Sequence, residues 1–92
     1  PVRPLGPGVT VSDAAFAQLV VRAAEQVDGA RVRRPKKIGL DGDRLELALA
    51  ARFGAVLPEL ARAVQARVAE AVETMCGITL AGVDVTIEVL DS

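Results

Sequence analysis

The spacing of apolar residues changes twice in the second half of this chain, and each change predicts a different secondary structure. From Arg44 to Phe53 every second residue of "RLELALAARF" is apolar, which is the period of a β-strand with one buried face. Between Pro58 and Gly77 apolar residues recur every three or four positions, as along one side of an α-helix. In "GVDVTIEVL" the period returns to two. We therefore expect a strand, a helix and a strand around one core.

These periods also predict which residues face the core. The inward positions are Leu45, Leu47, Leu49, Ala51 and Phe53 in the first of these strands, Leu60, Ala61, Val64, Val68, Ala71, Val72 and Met75 in the helix, and Val83, Val85, Ile87 and Val89 in the last strand.

The first half of the chain repeats the order with shorter elements. "GVTV" is a short strand, and Ser12 or Asp13 can cap a helix that runs to about Val27 and ends at Gly29. The inward side of this helix consists of Phe16, Leu19, Val20, Ala23, Ala24 and Val27.

A hairpin is predicted between the two helices. Its first strand is interrupted by Pro35, and Asp41-Gly42 suits a two-residue loop that would place Lys37 opposite Glu46. The complete order is β-α-β-β-α-β, an α+β fold with two helices packed on one face of a small, largely antiparallel sheet. Residues 1–8, "PVRPLGPG", are predicted to be a flexible lead-in to a single domain at 9–91.

Composition argues against several kinds of function. The chain has no histidine, so it lacks the commonest general base and the usual zinc ligand. Its single cysteine, Cys76, falls at the end of a helix, where the helix dipole disfavours a thiolate. Stacking on nucleobases is disfavoured because Trp and Tyr are absent. We predict no catalytic residues, no cofactor and no metal site.

Five cations in the seven residues of "RVRRPKK" contrast with a formal net charge of −1 for the whole chain. Such a run can bind phosphate groups, but cations next to a proline are also typical of an exposed strand edge or a solvated link. Both readings stay open. The candidate anion contacts are Arg31, Arg33, Arg34, Lys36 and Lys37.

The sheet face that the helices leave uncovered is a second candidate site. Its central strand would present two alanines, Ala48 and Ala50, between charges of both signs. Small residues permit close approach by another surface, whereas isolated exposed alanines can also be without function. The candidate partner face consists of Arg44, Glu46, Ala48, Ala50, Arg52 and Glu88.

Four segments together resemble the bacterial alkaline shock protein family, also called the general stress protein family. They are "VSDAAFAQLVVRAAEQVDGARV", "ARFG", "LPELARAVQARVAEAVETMCGI" and "VDVTIEVL", within about Val9 to Leu90. The long helix is the most specific part, with Val64-Gln65 at its middle and Glu73-Thr74-Met75 near its end. The chain departs from the family in the short "RRPKK" link between its second and third strands.

The resemblance implies a small non-enzymatic protein of the bacterial cytoplasm that is associated with cell-envelope stress. Some members of the family sit at the membrane by binding a membrane-anchored partner. We therefore expect a protein-interaction module that works through a protein partner or self-association and has no membrane span of its own. The alternative is a binder of nucleic acid or anionic surfaces through Arg31–Lys37.

Overall fold

Six strands and two helices follow one another in the computed structural model, which describes residues 2–6, 9–33, 38–52 and 54–90. In chain order they are β1 (Val2–Gly6), β2 (Val9–Ser12), α1 (Asp13–Glu25), β3 (Arg31–Arg33), β4 (Gly39–Asp41), β5 (Arg44–Arg52), α2 (Leu57–Cys76) and β6 (Gly82–Leu90).

The first helix begins at a hydrogen-bonded cap. The Ser12 hydroxyl oxygen accepts a hydrogen bond from the backbone N–H of Ala15 at 3.1 Å, so Ser12 rather than Asp13 is the N-cap residue. α1 ends at Glu25, and the chain then turns through Gly29, which has a φ of +90°. The predicted inward side is confirmed: Phe16, Val20, Ala23 and Ala24 are buried, and Leu19 and Val27 pack against the core.

The second helix also follows the sequence pattern at both ends. Pro58 lies in the first turn, and Gly77 ends the helix with a φ of +69° while its N–H donates to the carbonyl of Glu73 at 2.9 Å. Met75 was predicted to face the core and does not, since 65% of it is exposed. The buried row recurs at every fourth residue from Leu60 and therefore reaches Cys76 instead.

β5 is the central strand of a four-stranded sheet. β6 is parallel to it along its whole length, beginning with Arg44 opposite Gly82. β3 and β4 therefore share the other edge of β5, where they lie antiparallel to Ala48–Ala50 and Arg44–Glu46, respectively. The predicted α+β class with two helices and a small sheet is confirmed. The sheet is mixed, because α2 connects β5 to β6 and such a crossover permits a parallel pair.

The hairpin between β4 and β5 has a different register from the predicted one. Asp41 pairs with Arg44, so Gly42 and Asp43 form the loop, and Gly42 has a φ of +61° at the first loop position. Gly39, and not Lys37, lies opposite Glu46. Lys37 and the interrupting Pro35 are outside the described residues.

The beginning of the chain is more regular than expected. Val2–Gly6 forms strand β1, which pairs antiparallel with β2 in a separate two-stranded sheet. The strand predicted from "GVTV" is present at Val9–Ser12, and it pairs with a segment that was predicted to be a lead-in; Gly8 is outside the described residues. Within the described residues β2 does not join the four-stranded sheet.

The core lies between the two helices and the inward face of β5. Leu45, Leu47, Leu49 and Ala51 are buried there as predicted, while Phe53 is outside the described residues. Burial decreases along β6, from buried Val83 to Val89, which was predicted to be inward and is 45% exposed. The buried cluster comprises Phe16, Val20, Ala23, Ala24, Ala30, Leu45, Leu47, Leu49, Ala51, Leu60, Val64, Val68, Val72, Cys76 and Val83.

Candidate interaction face

The side of the four-stranded sheet that points away from the helices is called the outer face here. The strand registers arrange its residues in rows that cross the sheet. From one end of β5 to the other, the rows are Asp41–Arg44–Gly82, Gly39–Glu46–Asp84, Arg33–Ala48–Thr86 and Arg31–Ala50–Glu88, followed by Arg52.

One end of the outer face is organised by Arg44. Its guanidinium group makes two hydrogen bonds to Asp84 on β6, Nη2 to Oδ1 at 2.6 Å and Nε to Oδ2 at 3.3 Å. A Cβ atom at Gly82 would lie 2.9 Å from Nη1 of Arg44, so the glycine leaves room for this path across the strand. The hydrogen bond and charge of Arg44 hold the pKa of Asp84 below its usual value.

The other end carries an ion pair that crosses β5. Nη2 of Arg33 lies 3.7 Å from Oε2 of Glu88, and the strands that hold these residues are on opposite edges of β5. Both side chains remain more than one-third exposed, so the pair is solvated and organises the surface more than it stabilises the fold.

The two central alanines are less exposed than the sequence predicted. Ala50 is only 2% exposed although it does not belong to the core between sheet and helices. It lies in the same row as Arg31 and Glu88, which are on the strands to either side of it. Ala48 is half-buried in the next row. The predicted apolar centre is therefore a recessed floor and not an open patch.

A shallow depression of about 290 Å³ opens beside this floor. It is lined by Glu46, Leu47, Ala48, Asp84 and Thr86. Of the residues that line it, Leu47, Asp84 and Thr86 were not among the predicted partner-face residues. Alternation along β6 marks Asp84 and Thr86 as outward, but only the parallel register with β5 shows that they adjoin Glu46 and Ala48.

The two predicted sites overlap in space. Arg31 and Arg33, proposed as anion contacts, lie in β3 on the outer face and so belong to the same surface as the candidate partner face. Arg34, Lys36 and Lys37 are outside the described residues, so their part of the anion hypothesis stays a prediction.

Four outer-face charges have no ionic partner among the described residues. They are exposed, and the ion pairs of the described part of the chain join other side chains; the four are Asp41, Glu46, Arg31 and Arg52. The Nη1 group of Arg31 donates to the neighbouring Ala30 carbonyl at 3.1 Å. The outer face thus has charges at both ends that an approaching surface can pair.

The remaining chemical candidate, Cys76, is poorly placed for reaction. It is 8% exposed at the end of α2, and burial raises the pKa of its thiol. Among the described residues, no group of three or more Cys, Asp and Glu side chains is arranged to hold a metal ion. No described helix is long and apolar enough to cross a membrane.

Comparisons of the chain with protein-family models, with curated protein sequences and with solved structures find no match. The resemblance to the alkaline shock protein family therefore stays a prediction from the four sequence segments.

Proposed function

We propose that this chain is a non-enzymatic protein-interaction module of the bacterial cell-envelope stress response, and that a protein partner docks on its outer face. The observation that carries the proposal is the asymmetry of the sheet. Both helices pack against one side, which leaves the rows around Ala48 exposed to a partner. The envelope role comes from the resemblance to the alkaline shock protein family. Members of that family act in the cytoplasm, in some cases through a membrane-anchored partner.

The charge distribution of the outer face favours a protein over a polyanion. Its described residues include four arginines and four carboxylates. The arginines are Arg31, Arg33, Arg44 and Arg52, and the carboxylates are Asp41, Glu46, Asp84 and Glu88. A balanced surface does not attract a phosphate backbone over a distance, whereas mixed charges around a small-residue centre suit a specific protein contact.

The contacts of the described cations support the same conclusion. Arg33 is engaged by Glu88, and Arg31 shares its row with that carboxylate, so each arginine has negative charge nearby. A nucleic-acid interface would need cations that are free to contact phosphate groups. Nucleic-acid binding is therefore the alternative function, and the following experiment distinguishes it from the binding of a protein.

The test is affinity capture from a bacterial lysate with three forms of the chain as bait. Thr86→Arg adds bulk and charge at the centre of the outer face, and Thr74→Arg makes the same change on the exposed surface of α2. We expect wild type and Thr74→Arg to retain the same envelope-associated protein after nuclease treatment, and Thr86→Arg to lose it. Capture that nuclease treatment abolishes would support the nucleic-acid alternative. Equal capture by all three baits would exclude the outer face.

A further inference from the structure

The unpaired charges of the outer face lie on opposite sides of its centre. Glu46 is one row from Ala48 toward the start of β5, and Arg31 is one row from Ala48 toward the end. Neither has an ionic partner among the described residues. The two charges have opposite signs and lie one row on either side of Ala48, so the outer face carries complementary groups that are two rows apart within one copy.

Open space lies beside Glu46. Gly39 is opposite Glu46 in the register, and a Cβ atom built at Gly39 meets no atom within 4 Å. The row therefore has a gap on the β4 side of Glu46, next to the depression that Glu46 lines with Ala48. A long side chain from another surface can enter this gap and reach the Glu46 carboxylate.

We propose that a second copy of this chain packs on the outer face, related by a twofold axis that crosses the strands at Ala48. Arg31 of each copy then enters the gap over Gly39 of the other copy and pairs with its Glu46. The inference rests on the proposed function, since it takes the outer face as the interaction surface, and it names a second copy as the occupant.

The strand order leads to this match. β3 and β4 lie along the same edge of β5, so Arg31 and Gly39 lie in one column of the outer face, that is, on the same side of β5. Arg31 is one row from the row of Ala48 toward the end of β5, and Gly39 is one row from it toward the start. A twofold axis across the strands exchanges those rows and keeps the columns, as in an isologous interface. Arg31 of one copy is thereby placed over Gly39 of the other.

The same axis also brings like charges together. Asp84 approaches Glu88 of the other copy, Arg44 approaches Arg52 of the other copy, and the two copies of Arg33 face each other because Arg33 lies in the row of Ala48. All of these residues except Arg52 have an oppositely charged partner within their own copy, which offsets the repulsion. These contacts therefore limit the strength of the association that the two Arg31–Glu46 pairs favour. Pairing through the outer edge of β6, which has no strand neighbour among the described residues, is less favourable. Antiparallel pairing of two β6 strands centred on Thr86 places Asp84 directly opposite Glu88, and like charges in that position destabilise a sheet.

The size of the surface predicts a reversible dimer. Nine-residue strands are about 30 Å long and adjacent strands are about 4.8 Å apart, so a three-column face is at the lower end of specific interfaces. We expect self-association in the micromolar range, on the order of a Kd of 10 µM, and weaker association at high salt.

The test is sedimentation equilibrium of the full chain and its charge-reversed variants. Arg31→Glu and Glu46→Arg should each weaken dimerisation by at least about tenfold, because each puts two like-charge pairs in the interface. An equimolar mixture of the two variants, and the double variant R31E/E46R, should recover dimerisation because opposite charges meet again. Arg67→Glu on exposed α2 is the matched control and should have no effect.

A monomeric wild type, or reversals that weaken association without recovery in the mixture and in the double variant, would overturn the inference. Recovery also shows that the single variants had not merely lost their fold. A monomer whose capture of an envelope protein is lost in Thr86→Arg would leave the proposed function intact and exclude the second copy as occupant. Failure of both experiments would exclude the outer face altogether.

Discussion

The Arg44 guanidinium group passes over Gly82 and makes two hydrogen bonds to the Asp84 carboxylate on the neighbouring strand. These two residues are 40 positions apart in the sequence, so only the parallel pairing of β5 and β6 brings them together. The contact fixes one end of the outer face and engages Asp84, so that Glu46 is the carboxylate of the adjoining row without an ionic partner among the described residues.

Replacing Asp84 with Asn should reduce stability by a small amount that depends on pH. Arg44 holds the pKa of Asp84 below its usual value, so the ionised carboxylate stabilises the fold above the unfolded-state pKa of about 3.9. That contribution is lost as the pH falls through the lower, folded-state pKa. Urea unfolding should therefore separate wild type from Asp84→Asn at pH 7 and not at strongly acidic pH.

Glu70→Gln on exposed α2 provides the control for this comparison, since it also neutralises one carboxylate. A difference between wild type and Asp84→Asn that grows toward acidic pH would contradict the assigned role of the Arg44 contact.

Cys76 should react slowly with an alkylating reagent at neutral pH. Its thiol is buried at the end of α2 and has a raised pKa, so both access and the thiolate fraction are low. We expect iodoacetamide labelling at least about tenfold slower than that of free cysteine. Moving the thiol by one residue, in a Met75→Cys and Cys76→Ala variant, should restore rapid labelling because position 75 is exposed. Rapid labelling of wild type would show that Cys76 is accessible.

Leu49→Ala should destabilise the chain strongly. Leu49 is fully buried on the inward side of the central strand, and deletion of such a side chain costs about 2–5 kcal/mol. Met75→Ala removes a side chain of similar size from an exposed position and should cost less than about 0.5 kcal/mol. Chemical denaturation measures both. Similar losses for the two variants would be inconsistent with the assigned core.

Serine substitutions at Arg33, Arg34 and Lys36 should leave folding intact. The described member, Arg33, makes only a solvated ion pair with Glu88, and wild type is expected not to bind short nucleic acids at physiological salt. The control replaces three other cations, Arg22, Arg62 and Arg67, with serine. The anion-binding function would be established if wild type and the control variant bind short nucleic acids with micromolar affinity and the first triple variant does not.

Local patterns in the sequence were sufficient to identify both helices and the end of α2, whereas α1 ends at Glu25, about two residues before the predicted end at Val27. The spacing of apolar residues identified the buried sides of α1 and α2, and Gly77 marked the end of α2, because these features depend on neighbours a few residues away. Met75 was wrongly predicted to be a core residue. Residues 72, 75 and 76 all lie near the apolar side of α2, so the spacing of apolar residues alone did not distinguish Met75 from Cys76. The i+4 row along α2 favours Cys76.

The outer face depends on contacts between distant residues, and the sequence predicted less of it. The predicted hairpin register was wrong by two residues, which kept Glu46 on the correct face but assigned it Lys37 in place of Gly39 as its neighbour. Ala50 was predicted to be exposed and is buried, because alternation along β5 carries no information about residues outside that strand, such as Arg31 and Glu88 in the same row.

The central claim, that the outer face is the protein-interaction surface, is tested most directly by NMR. Amide chemical shifts of the labelled chain can be followed as the protein concentration is raised or a captured partner is added. We predict that the shifts change along β5 and β6 around Ala48 and Thr86, while exposed positions of α2 such as Arg62, Arg67 and Glu70 stay unchanged. Changes confined to the exposed side of α2, with none along β5 and β6, would contradict the claim.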